Sequence, residues 1–138
     1  MICAHVPREI VWISVPQLLP FIQKFVAKFP AEYEVGQIIG QLCTGDTAGF
    51  VAFDNESNQL LGIAVGKIWP RFDGTKQLRM EIIQGQFMRE WRDLMSSEIE
   101  RYARANGCNL IRMVGRKGWQ RALPKGDHVI YNVFERRL

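Results

Sequence analysis

Residues 78–114, LRMEIIQGQFMREWRDLMSSEIERYARANGCNLIRMV, decide how this chain folds. The apolar run Leu78 to Ile83 reads as a strand, and Gln84-Gly85-Gln86 reads as a glycine-bearing turn. From about residue 86 to 106, Met88, Trp91, Met95, Ile99, Tyr102 and Ala103 recur at spacings of three and four, the period of an amphipathic helix. Asn106-Gly107 supplies a left-handed stop, and Leu110 to Val114 follows at once as a second strand. A helix between two strands allows a parallel, right-handed crossover. The junction of the first strand with the helix gathers unpaired backbone N–H groups and the positive end of the helix dipole around one point, which suits a phosphate.

Toward the N-terminus, Ala48 to Phe53 and Gln59 to Trp69 flank the polar turn Asn55 to Asn58. With Leu78 to Ile83 they form an antiparallel meander. Residues 8–15, REIVWISV, are rich in β-branched side chains and read as a first strand. Pro16 then opens a helix carrying Leu18, Leu19, Ile22, Phe25, Val26 and Phe29, and a second helix spans about Tyr33 to Cys43. A short helix through Trp119 to Leu123 and a strand from His128 to Phe134 end the chain. The sum is one α/β domain, residues 1–138, with a mixed sheet.

Composition narrows the function. With 138 residues, 47% of them hydrophobic, the chain can bury one core. No apolar run near the ~20 residues that span a bilayer is read, and no leader pattern stands at the N-terminus, so a cytoplasmic location and no membrane partner are expected. Cys3, Cys43 and Cys108 are odd in number and widely spaced, which points to reduced thiols rather than to a disulfide framework or a zinc site. A net charge of +4 favours anionic ligands. Nucleic acid is the weaker candidate, because the aromatics are not interleaved with the C-terminal cations as a stacking platform requires.

Two histidines cannot complete a nucleophilic triad, and metal-ligand spacing is missing. Glu81 is the best general-base candidate, since a carboxylate in the middle of an apolar strand is costly unless it faces a solvated cleft or a cation. The alternation of Leu78, Met80 and Ile82 with Arg79, Glu81 and Ile83 also fits a strand with one wet face. Tyr131 and His128 on the last strand are further proton carriers. At the turn, backbone N–H groups from Gln84 to Met88 offer a cradle for a diphosphate, and Arg89 and Arg92 would gain from an anion bound at the helix start. Trp119 walls a cleft or fills a core.

This order of elements resembles the GNAT superfamily of acetyl-CoA-dependent N-acetyltransferases, with a mostly antiparallel sheet whose central strand pair splays apart between flanking helices. More narrowly it resembles short GNAT-like proteins of tailed bacteriophages, on Val35-Gly36-Gln37-Ile38-Ile39, Leu61-Gly62-Ile63-Ala64-Val65, Ala103-Arg104-Ala105-Asn106-Gly107-Cys108, Gly115-Arg116-Lys117-Gly118-Trp119 and Leu123-Pro124. The resemblance covers residues 31–138. It implies that Met80, Ile82 and Ile83 hold the pantetheine of acetyl-CoA (coenzyme A), that Gln84, Gly85, Gln86, Phe87, Met88 and Arg89 hold the pyrophosphate, and that Trp119 lines the same cleft. It further implies Glu81 as base, Tyr131 as the substitute for a missing tyrosine acid, and an unidentified amine as acceptor. The alternative is a catalytically degenerate phage accessory or virion-associated protein, a binding and assembly module in the host cytoplasm or the virion with phage or host proteins as partners. In either case the last strand offers a homodimer edge.

Overall fold

The computed structural model describes residues 1–113 and Arg136. Five strands, β1 (Ile2–Val6), β2 (Ala48–Asp54), β3 (Gln59–Pro70), β4 (Lys76–Gly85) and β5 (Leu110–Met113), form one sheet in that spatial order. The first four are antiparallel neighbours, and β5 pairs parallel to β4. Three helices accompany them: α1 (Arg8–Lys28), α2 (Val35–Thr44) and α3 (Met88–Ala105). The expected mixed, mostly antiparallel α/β sheet is therefore present. The expected splay beyond Met80, the helix at 119–123 and the strand at 128–134 lie outside the described residues.

The reading of residues 8–15 as a strand is corrected. The first strand is Ile2–Val6, and the β-branched run belongs to α1. One continuous face, Val11, Leu18, Ile22 and Phe25, is buried at helical spacing, and its burial outweighs the strand preference of Ile, Val and Trp. Pro16 and Pro20 lie within the helix on its exposed side, where water can serve the carbonyls they deprive of a partner. As one helix of 21 residues, α1 is long and apolar enough to cross a membrane by length and composition alone.

Two cores flank the sheet. On one side α3 lays Trp91, Met95, Ile99 and Ala103 against Phe50, Leu78 and Met80. On the other, α1 and α2 cover Ile63, Val65 and Ile82. α3 ends as expected: Gly107 takes φ 77°, and the Cys108 N–H returns to the Ala103 carbonyl at 2.9 Å.

The expected alternation along β4 fails at one point. Val65 pairs with Ile82, but the next residue, Gly66, pairs with Met80, so Glu81 is the extra residue of a β-bulge. Beyond it the faces exchange: Ile82 joins the α1/α2 core and Ile83 packs beside the α3 core. The expectation that Leu78, Met80 and Ile82 share a face is corrected accordingly.

Candidate active site

The bulge sets the site. Glu81, half-buried, stands where the strand's faces exchange, and its electrostatic influence on Tyr33, which packs at the α1/α2 core, puts its carboxylate on that side of the sheet. Tyr33, in the α1–α2 connection, lies within electrostatic reach. Its phenol is pushed above 10.0 first by burial and then by the Glu81 and Glu32 carboxylates. Tyr33 thus joins Glu81 as a second titratable group on this side of the sheet, one that sequence spacing does not bring to it.

Four residues farther along, β4 ends at Gly85, and the reason for glycine there is packing. A Cβ on Gly85 would stand 2.5 Å from both the Gly62 Cα and the Leu61 carbonyl oxygen, and 3.0 Å from Trp91 Cζ2. A Cβ on Gly62 would stand 2.5 Å from the same tryptophan atom. Trp91, 1% exposed, fills the space the two glycines leave, and its indole N–H donates to the Gln86 carbonyl at 2.7 Å. The Gln86 N–H donates to the Leu61 carbonyl at 2.8 Å, so that one member of the expected cradle is already engaged. The Gln84 side chain turns away from the helix start and accepts a hydrogen bond from Lys28 Nζ at 2.9 Å.

What remains for a ligand is the first turn of α3. Phe87, at the N-cap, adopts φ 56° and ψ 39°, a left-handed conformation that is unfavourable for a bulky residue. No side chain caps the turn among the described residues, and the Phe87 ring is 62% exposed. The N–H groups of Met88 and Arg89, the helix dipole and the exposed Arg89 thus face one uncapped end. These are donors that fit a phosphate. Met80 faces the α3 core, Ile82 the α1/α2 core and Ile83 packs at the α3 core, so only the backbone of this stretch would meet pantetheine. Trp119, Tyr131 and His128 lie outside the described residues.

The overall fold of this chain recurs in solved structures. A probable acetyltransferase superimposes with TM-score 0.69 at 12% identity, covering 100% of this chain and 99% of its own. The fold is that of the GNAT acetyltransferases. A GNAT family acetyltransferase from Staphylococcus aureus has TM-score 0.67 at 10% identity, covering 99% and 98% of the two chains. An aminoglycoside acetyltransferase from an uncultured soil metagenomic sample, in complex with sisomicin, has TM-score 0.66 at 12% identity, covering 99% and 95%. No family model matches the sequence, and no curated protein does. At these identities the GNAT likeness concerns the fold, and activity has to be argued from the site.

Proposed function

We propose that the protein is an acyl-CoA-dependent N-acyltransferase acting on an amine, with Glu81 as general base. The observation that carries this reading is the bulge: it holds a carboxylate on the α1/α2 side of β4, one strand-length from an uncapped helix start with phosphate-binding character. In the proposed arrangement the first turn of α3, with Arg89, holds the pyrophosphate, and the backbone of Met80 to Gln84 aligns the pantetheine. Acetyl-CoA, when bound, supplies the acyl group as a thioester, and transfer exchanges a C–S bond for a C–N bond. Glu81 takes one proton of the acceptor ammonium, directly or through water, and passes it to solvent. The second proton of the amine leaves with the thiol, and Tyr131 is the proposed donor to the departing sulfur. A backbone N–H of β4 polarises the acyl oxygen.

The second reading, a GNAT-fold module that has lost turnover in a phage accessory or virion setting, is favoured by one observation, the engagement of the Gln86 N–H by Leu61. Against it, the exposed Phe87 ring does not plug the turn. Acetyl transfer to a panel of amines separates the two. The enzyme reading expects turnover that Glu81→Gln lowers about a hundredfold with stability unchanged. Equal rates in the two proteins would refute Glu81 as base, and no turnover with any amine would favour the module.

A further inference from the structure

The half of β4 that precedes the bulge carries a polar group that the reaction described above does not use. Strand register sets Trp69 opposite Gln77, Lys67 opposite Arg79, and Arg79 opposite Arg112 of β5. Leu78 and Met80 face α3, so alternation sends Gln77 and Arg79 to the other side of the sheet, the side of Glu81. Three cations therefore stand on neighbouring strands, where like charges directly opposite destabilise a sheet. Lys67 reaches Asp46 at 3.3 Å. Lys67 Nζ and the Arg79 guanidinium lie 5.0 and 5.2 Å from the Trp69 ring centroid.

Two atoms here are orphaned. Gln77 is only 7% exposed, and its Oε1 is buried with no hydrogen-bond partner among the described residues. Arg79 Nε is in the same position. A buried amide oxygen and a buried guanidinium Nε on a partly exposed arginine, two residues apart on one face, are costly to leave unsatisfied, and each states what would satisfy it: an anion for the guanidinium, an N–H or O–H for the amide oxygen.

We propose that this group is the acceptor-binding subsite, and that the acceptor is a small amine that also bears a carboxylate or a phosphate. The amine's role rests on the acyltransferase reading given above. Arg79 offers a planar fork of donors that matches either anion, Lys67 adds a second cation, and Trp69 provides a flat wall. Gln77 Oε1 takes an N–H or O–H of the same molecule. Glu81 stands two residues beyond Arg79, at most about 7 Å along the bulged strand, which bounds the separation of amine and anion. A polycationic amine would meet Lys67 and Arg79 as like charges and is selected against.

The test is an NMR titration of the full chain, with no CoA present, against glucosamine 6-phosphate, 6-aminohexanoate, glucosamine and spermidine. Saturable shifts of the Trp69 indole and of the Gln77 and Arg79 amides are expected with one or both anionic amines, and the comparison of those two tells phosphate from carboxylate. Arg79→Gln should weaken that binding ten- to a hundredfold, with Arg79→Lys recovering part of it. Lys67→Gln, at a half-exposed position, should act in the same direction and guards against a folding defect in the first variant. In turnover the loss should fall on KM. Binding of glucosamine or spermidine as tight as that of the anionic amines, or an affinity that neither variant changes, would overturn the proposal. Failure of acetyl-CoA to bind would refute the acyltransferase reading alone, because the anion titration is decided without it.

Discussion

At the Gly85 end of β4, two glycines and a tryptophan close on one another until no Cβ fits, and the indole N–H and the Gln86 N–H both have backbone acceptors. At the Gln77 end of the same strand, Gln77 Oε1 and Arg79 Nε have no hydrogen-bond partner among the described residues, and cations stand in register across three strands. The glycine–tryptophan packing is satisfied within itself, and among the described residues the polar atoms at the Gln77 end are not. The difference teaches that close packing is by itself sufficient reason for glycine at 85. The groups that call for a ligand sit near the strand's other end, with the Glu81 bulge between them. A variant such as Gly85→Asp would therefore break packing before it tested any phosphate.

The comparison can be broken from either side. Trp91→Ala removes the filler of the glycine gap and should cost about 3–5 kcal/mol in urea unfolding. A smaller loss would mean that the gap collapses freely. Gly85→Ala should cost about 3 kcal/mol, because the new Cβ meets backbone atoms of β3 that have no rotamer in which to escape. Glu81→Gln should leave the unfolding midpoint in place while turnover falls about a hundredfold, about 2.7 kcal/mol in the barrier.

Phe87→Gly sharpens the contrast with an opposite sign. Relief of the left-handed strain should raise stability by about 1 kcal/mol, with little apolar burial lost from an exposed ring. A destabilised variant would show that the ring packs in solution. The smallest effect concerns His5, stacked on Tyr102 with ring centroids 4.5 Å apart. Burial holds its pKa below 6.5, against the pull of Glu98 and Glu9 in the other direction. A depressed histidine contributes stability that is complete above pH 6.5 and is lost as pH falls through the folded value. His5→Phe should flatten that part of the pH profile, as chemical unfolding at pH 7 and pH 5 would show.

Much of the fold was legible because its elements change period sharply. The alternating strands from residue 48 and the three-and-four spacing of Trp91, Met95 and Ile99 leave little ambiguity, and Asn106-Gly107 marks the helix end to within a residue. The start of α1 reads as a strand because residues 10–15 have strand propensity at every position but Ser14, and only the distant Leu18, Ile22 and Phe25 show that Val11 belongs to a helical face. The bulge at Glu81 left no local mark, since register is a property of two strands. Glycines at 62, 66 and 85 within strands were the available sign of close approach. Glu81 itself was found as a charge out of place in an apolar run. Its companions Tyr33, Gln77 and Lys67 were not, because they come from different elements and only the folded sheet assembles them.

The most direct test of the central claim is calorimetry of acetyl-CoA and CoA with the wild-type chain and with Arg89→Glu, a change at an exposed position in the first turn of α3. The account predicts saturable binding in the micromolar range, weakened at least tenfold by the charge reversal. No heat of binding at millimolar ligand, or an affinity that the reversal does not alter, would contradict it.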